Sequence, residues 1–403
     1  MSRIAPATNA TPRVAVIGAG VVGTATARSL ALGGAQVVLY ERTAIGAGTS
    51  TASFAWVNSH IKEPAAYHDL NSAGILEHHV LHAAKGPGLD WFYPTGNLEW
   101  AEDPDGDRTL EKAVDRLTGR GYPAVWLTPR QACDLVPDLR VPAAVNRVAY
   151  FPMEGHALPH LLLSRLWGEA RDHGAQLRFP AEVTELLPAA NGRVLLHATD
   201  GSAETFDVAV TAVGRWTGSV TAAAGLPVPM ADPDLPGSAT VGFLGFTGPV
   251  PTRLDRVLIT PRLNVRPDGG GRLVIQSLQL DAAADPGNPP ATNGPIARAL
   301  LDHLTELLHG AAGARLESLR VGQRALPADG LTVAGFLPTE TPVYTLATHS
   351  GITLGPLLGR LAAEEILSSR RSPLLDRFAP DRLTSADPAA FELLSPARLP
   401  GNQ

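Results

Sequence analysis

A single cysteine, three lysines, three methionines and no long apolar run mark what this 403-residue chain does without. With Cys133 alone, no disulfide forms within the chain, and metal or iron–sulfur sites built on clustered cysteines are excluded. No apolar stretch approaches the length that spans a bilayer, so no membrane association is expected. The opening residues, MSRIAPATNATPR, lack an apolar centre and do not read as a signal peptide. Neither sign of charge dominates: the formal net charge is −6 and the pI about 6.1, which implies no nucleic acid as partner. Lysine is confined to Lys62, Lys85 and Lys112, and arginine carries nearly all the positive charge. A cytoplasmic location is expected, with a homodimer left open.

What is present is concentrated near the start. RVAVIGAGVVGTATARSLALGGAQVVLYER, Arg13 to Arg42, opens with a β-branched apolar run suited to a buried parallel strand. Gly18, Gly20 and Gly23 follow as G-x-G-x-x-G, and an Ala-rich helical stretch runs to Leu32. The first glycine permits a tight turn, the second lets backbone approach a pyrophosphate, and the third lets helix lie close to strand. The helix N-terminus offers free N–H groups and a positive dipole end to phosphates. Ala35 to Tyr40 reads as the second strand, and Glu41 at its end is placed to accept from a ribose diol. A carboxylate there disfavours the phosphorylated ribose of NADP. These residues leave FAD and NAD unseparated.

The chain is long enough for two domains. Periodicity and turn signals predict helices over Tyr67–Ala84, Arg108–Thr118, Thr128–Leu139 and Pro295–His309, with Asp103–Asp107 as a turn. Strands are expected at Trp91–Trp100, Val183–Leu187, Val194–Ala198 and Thr205–Thr211, and a hairpin across Val257–Leu280. His78, His79 and His82 have metal-like spacing but read as a solvated helix face, and no metal site is expected. Near the C-terminus, Val343–Ala347 reads as a strand, THSG as a tight turn, and Leu354–Leu367 as a helix with Pro356 in its first turn. One pyrophosphate does not need a second strand–Gly turn–helix unit. A flavin does, because a helix N-terminus stabilises negative charge on the pyrimidine edge of reduced isoalloxazine. The plainer reading is an ordinary βα unit of the sheet.

Segments spread in order along the chain resemble the FAD-dependent D-amino-acid oxidase family, which includes glycine and sarcosine oxidases. They are VIGAGVVG with Glu41-Arg42, GAGTSTASFAWVN, FPMEGHALPHLL, TAVGRWTG, and finally GQRALPADGLTVAGF with HSGITLGP. The resemblance implies an α/β chain bearing FAD. A Rossmann-type FAD-binding domain is expected over residues 12–85, 147–225 and 321–375. An inserted substrate domain of antiparallel sheet plus helices is expected over 86–146 and 226–320. It further implies that Gly18, Gly20, Val22 and Gly23 serve the pyrophosphate end, Glu41 the ribose and Arg42 the adenine. Gly48, Thr49 and Ser50 would meet phosphate or ribityl oxygens, and the Val183 backbone the adenine edge. Ala212, Gly214 and Trp216 would line the cofactor, and Gly351, Ile352, Thr353 and Leu354 would meet the flavin's N1–O2 edge.

The chain departs from the family at two places. Ala325 and Leu326 stand where sarcosine oxidases carry a tethering cysteine, and Thr49-Ser50-Thr51 where others carry a histidine, so the FAD is expected to be non-covalent. Those oxidases also set an oxygen-activating lysine in the middle of the substrate domain; here no lysine follows Lys112, so that device is missing unless Lys62 or an arginine replaces it. The chemistry expected is oxidation of the C–N bond of an amino acid or of a secondary or cyclic amine to an imine. Hydride passes to flavin N5, with oxygen as acceptor. The alternatives are a dehydrogenase using another acceptor and an electron-transfer subunit. Arg324 is expected to grip the substrate carboxylate, its plainer role being an ion pair. His349 is expected to take the ammonium proton, and His60 and Asn58 to reach the flavin face. Trp91, Tyr93, Trp100, Phe243 and Phe246 are available to a pocket, though isolated aromatics more often fill cores.

Overall fold

The computed structural model describes residues 11–385 apart from 86, 87 and 89, so most of the opening stretch discussed above lies outside the described residues. Six strands form the first sheet: β1 (Arg13–Ile17), β2 (Gln36–Tyr40), β3 (Gln176–Arg178), β4 (Val208–Thr211), β5 (Val333–Phe336) and β6 (Val343–Ala347). Their order is β5-β6-β4-β1-β2-β3, parallel throughout except for the antiparallel β5–β6 pair. Alternation sends Val14, Val16, Val37 and Leu39 into one core and Ala15, Ile17, Val38 and Tyr40 into another. Both faces must therefore be covered, which is why these strands read as continuous apolar runs. Helices α1 (Val21–Leu32), α2 (Ala65–Ala83), α3 (Pro159–Asp172) and α4 (Gly351–Ser368) contribute to the first core. A small antiparallel sheet of Val183–Ala189, Arg193–Ala198 and Ala203–Phe206 covers the other face through Leu186, Val194, Leu196 and Phe206.

Helix α4 lies directly on α1 along Gly351, Gly355 and Gly359. A Cβ added at Gly359 would fall 2.5 Å from the backbone carbon of Ala25, and one at Gly355 3.0 Å from the Val21 side chain. The glycine stripe thus brings two helix backbones together and points both N-termini at one cavity.

The second sheet has eight strands, from Leu316–Gln323 at one edge through Val241–Thr247, Leu273–Gln276, Asn264–Pro267, Val257–Ile259, Asn97–Glu99 and Val148–Phe151 to Val125–Leu127. It is antiparallel except where Val257–Ile259 pairs in parallel with Asn97–Glu99, joining the two inserted segments. Helix Pro295–Leu307 packs Ala297, Leu300 and Leu304 into the core beneath it, where Cys133 is half-buried.

The elements correct several expectations. Val148–Phe151, assigned to the FAD-binding domain, is a strand of the second sheet, and Leu316–Gln323 carries that sheet past residue 320. Thr205–Thr211 breaks at Asp207, where the chain crosses from the small sheet to the large one. Trp91–Trp100 is two short strands, Phe92–Tyr93 and Asn97–Glu99, in different sheets. Asp103 caps a helix over Pro104–Gly119 rather than opening a turn, its carboxylate accepting from the N–H groups of Asp105 and Gly106. Because α4 begins at Gly351, Pro356 sits in its second turn. Its missing N–H frees the carbonyl of Ile352, which accepts from His78 Nε2 at 2.8 Å. His78 is therefore fully buried rather than solvated, and burial lowers its pKa to about 4. His79 and His82 pack against Phe92, and no metal-binding cluster occurs among the described residues.

Candidate active site

A cavity of about 370 Å³ follows the C-terminal ends of the parallel strands, where open α/β sheets bind ligands. Its walls are mostly backbone and small side chains. Gly18, at φ +96°, leaves no room for a side chain, since a Cβ there would meet the Ala212 carbonyl oxygen at 2.7 Å. Gly23 admits none either, with the Gly18 oxygen 1.8 Å from the site of its Cβ. Ser50 Oγ accepts from the Val21 N–H at the start of α1. Glu41 lines the far end, with one oxygen accepting from Ala19 N–H and the other from the Thr43 N–H and hydroxyl. The Trp216 indole is sandwiched between the Arg42 and Arg215 guanidiniums, 4.0 and 3.8 Å from the ring centre. At the other end the cavity reaches His349, Gly351 and Ile352. There the N–H groups of Gly351, Ile352 and Thr353 have no partner among the described residues, because α4 starts without a side-chain cap.

A second cavity, of about 150 Å³, adjoins that end and shares Thr49, Ser53, His349 and Ile352 with the first. Side chains from distant segments build it: Phe54, Trp56, Asn58 and Lys62 from the loop before α2, Asn264 and Gln276 from the second sheet, and Arg324. Arg324 Nη1 donates to the carbonyls of Ala239 and Val241 at 2.7 Å each, which aims the guanidinium. Its Nη2 lies 3.6 Å from Asp281, an ion pair longer than a hydrogen bond. Burial raises the Asp281 pKa while Arg324 opposes the rise. His349 sits between Lys62 Nζ and the Tyr67 hydroxyl, each 3.4 Å from a ring nitrogen.

These walls fit a dinucleotide: the N–H groups at the start of α1 would hold its phosphates and Glu41 a ribose. The family model for FAD-dependent oxidoreductases matches residues 13–365. The chain belongs to this family. It is similar to glycine oxidase of Geobacillus kaustophilus, 26% identical over 378 residues that cover 92% of this chain and 96% of the relative. Dimethylglycine dehydrogenase of Rattus norvegicus is 27% identical over 216 residues, 53% of this chain and 25% of that one. Among solved structures, the fold matches glycine oxidase from Geobacillus kaustophilus at a TM-score of 0.78 and 23% identity, over 94% of this chain and 100% of the other. L-proline dehydrogenase from P. horikoshii matches at 0.76 and 19%, over 92% and 97%.

As an FAD-dependent oxidoreductase, the protein brings most of the residues singled out from its sequence to these two cavities. Gly18, Gly20, Val22, Glu41, Arg42, Gly48, Thr49, Ser50, Val183, Ala212, Gly214, Trp216, Gly351 and Ile352 line the first. Gly23 stands behind it as a close-packing position. Thr353 lines the second, its hydroxyl engaged with the Trp56 carbonyl and the Asn58 N–H. Arg324 and His349 also line the second.

Two placements are corrected. Leu354 belongs to the core, and its N–H is spent on the Ser350 carbonyl, so it offers nothing to a cofactor. His60 lines neither cavity: it is buried between Glu154 and Glu99, with contacts of 3.0 and 2.6 Å. Burial disfavours its charge, but the two carboxylates outweigh burial and raise its pKa to about 9. His349 is in place but is a poor base. Burial, Lys62 and Arg324 together hold its pKa well below the usual imidazole range. Trp91, Trp100 and Phe243 are core residues, and the aromatics of the second cavity are Phe54 and Trp56.

Sequence reasoning passed over Glu154 and Arg215 and offered Lys62 only as a stand-in for an oxygen-activating lysine; the structure puts it in the second cavity. Fully buried Glu154 accepts from the Ser59 and His60 N–H groups and the Tyr122 hydroxyl, tying down the loop that carries Asn58 and Lys62. A glutamate flanked by Met153 and Gly155 in an apolar segment was the available signal.

Proposed function

We propose that the protein oxidises the C–N bond of a small carboxylated amine, an amino acid or a secondary or cyclic amine, to the imine. The observation that carries this reading is the half-buried guanidinium of Arg324 in a small cavity that adjoins the first one at His349 and Ile352. FAD, when bound, accepts the hydride from the carbon next to nitrogen. The chain's part is positioning: Arg324 anchors the carboxylate, Asn58, Asn264 and Gln276 offer polar contacts around the amine, and Phe54 and Trp56 limit size and water. Free N–H groups at the start of α4 favour the negative charge that the flavin gains. The names of similar proteins, glycine oxidase, dimethylglycine dehydrogenase, L-proline dehydrogenase and iminodiacetate oxidase, agree on amines bearing a carboxylate.

The FAD is read as non-covalent. Neither Cys nor His occurs at Ala325, Leu326 or Thr49–Thr51, and Cys133 packs against the second core. Oxygen is proposed as the acceptor. The test is anaerobic mixing of the holoprotein with glycine, sarcosine, N,N-dimethylglycine, L-proline and iminodiacetate, followed by admission of oxygen. Bleaching by at least one of them, then recolouring with peroxide release, is expected. No bleaching by any carboxylated amine would remove the substrate reading. Bleaching without recolouring would replace oxygen by another acceptor.

A further inference from the structure

Lys62 is an unusual group for its setting. The residue is 5% exposed and lines the second cavity, and its amine makes no ion pair among the described residues. Its one polar neighbour is His349 Nε2 at 3.4 Å. Glu154, the nearest carboxylate influence, has an oxygen already shared by two backbone N–H groups, the Tyr122 hydroxyl and His60. Arg324 adds like charge from the far wall. A buried ammonium facing an imidazole that stays neutral and a second cation is poorly compensated, so its neutral form is favoured. Burial, with Arg324 against it and Glu154 for it, brings the Lys62 pKa down to about 8.

An amine must shed its ammonium proton before the adjacent carbon can give up hydride, because only the neutral nitrogen has a lone pair to share. His349 sits beside this cavity but is held too weakly basic for the task. We propose that Lys62 is the catalytic base of the substrate cavity, its neutral amine taking the proton from the ammonium of a carboxylated substrate anchored on Arg324. The substrate N–H bond breaks and leaves its electron pair on nitrogen, while the proton adds to the lone pair on Nζ. No oxidant is consumed in this step. His349 serves as the neutral hydrogen-bonding partner that keeps Nζ turned into the cavity, backed by the Tyr67 hydroxyl, which also meets Ser350 Oγ at 2.8 Å.

The inference rests on the proposed amine oxidation, and the experiment separates the two. Anaerobic flavin reduction by sarcosine and glycine is followed from pH 6 to 10 in wild type, Lys62→Met and Lys62→Arg, all loaded with FAD. The apparent second-order reduction rate of wild type should rise with pH and level off near 8. In Lys62→Met that break should vanish, leaving only the higher titration of the substrate's own ammonium. The rate at pH 8 should then fall by about 10²–10⁴-fold, the usual range for a lost proton-transfer group. Lys62→Arg keeps the charge but cannot deprotonate, so it should follow Lys62→Met. A second readout needs no turnover: binding of glycolate, which has the carboxylate but no amine, should weaken above pH 8 in wild type only. A wild type that no amine bleaches would overturn both readings. Bleaching with an unaltered pH break in Lys62→Met, or full rescue by Lys62→Arg, would overturn this one alone. So would a Lys62→Met enzyme that is reduced normally but reoxidised slowly by oxygen, which would assign Lys62 to the oxidative half-reaction.

Discussion

The two adjoining cavities are built on different principles. The cofactor cavity is walled by backbone: glycines whose Cβ would collide, two helix N-termini and the ends of parallel strands. The substrate cavity is walled by charged and amide side chains brought from the loop before α2, the second sheet and Arg324. A site made of backbone needs particular residue types at fixed local spacing. A site made of side chains needs only that the fold bring them together, and leaves no local pattern. The first constrains sequence along the chain, and the second constrains it only in space.

The largest effect should come from breaking the side-chain site at its anchor. On the proposed reading Arg324→Ala strands a substrate carboxylate, and it also leaves Asp281 without its cation. Truncating one partner of such a pair costs about 2–5 kcal/mol. For carboxylated substrates kcat/KM should then fall about thirty- to several-thousandfold, while the spectrum of bound flavin stays the same. Steady-state kinetics beside an absorbance scan checks both halves. An equal loss for amines lacking a carboxylate would show that Arg324 serves only its ion pair with Asp281.

The next effect separates the cavities by pH. His60, pinned beneath the substrate cavity, has a pKa raised to about 9 against 6.5 when unfolded. The folded state thus holds a proton that the unfolded chain releases above pH 6.5, so this stabilisation is present below 6.5 and lost as pH rises toward 9. His78, His156 and His349, with lowered values, act in the opposite sense as the unfolded chain loses their protons near 6.5, and Lys62, lowered to about 8, does so as pH approaches and passes 8. Taken alone, His60 should remove about 2 kcal/mol of stability between pH 6.5 and 8, a loss that the other groups offset, so it is read from the difference between wild type and His60→Gln. Urea unfolding at fixed excess FAD should show stability rising more steeply with pH over this window in His60→Gln than in wild type. Equal slopes in the two proteins would mean that His60 is neutral between its two glutamates.

A smaller loss is expected where the two helices of the cofactor half meet. Gly359→Ala places a methyl 2.5 Å from the Ala25 backbone, and overpacking of this kind costs about 1–3 kcal/mol. Because α1 and α4 then separate, thermal stability and FAD affinity should decline together, as scanning calorimetry and fluorescence titration would reveal. Lost stability with intact affinity would mean that the N-termini converge without this contact. The mildest change is Glu41→Gln, which keeps an acceptor but removes its charge. With about 1 kcal/mol lost, the FAD dissociation constant should rise five- to tenfold. An unchanged constant would place the ribose elsewhere.

How much could be read in advance follows the same division. G-x-G-x-x-G, Glu41 and the strand runs announced the parallel sheet and its cofactor wall, because each obeys a local backbone rule. Leu354 was misplaced because the start of α4 was set three residues late, and one helical turn decides whether an N–H is free or bonded. His60 looked available in sequence, yet Glu154, 94 residues away, and Glu99, 39 away, claim both its nitrogens. Lys62 was read only as a possible stand-in for an oxygen-activating lysine, since nothing near it in sequence tells of Arg324, 262 positions later.

The sequence by itself determined that this chain folds around a dinucleotide. Strand periodicity, glycine spacing and a carboxylate at a strand end act over one or two elements, where chain connectivity alone fixes geometry. Only the tertiary structure decided which charged groups line the second cavity, which are sealed behind it, and in what state. His60 became a cation locked between carboxylates, His349 a neutral imidazole and Lys62 a weakened ammonium. The reason is that desolvation and Coulomb interaction depend on distances through space and on exclusion of water, and neither is set until the two sheets and their loops have closed around the cavity.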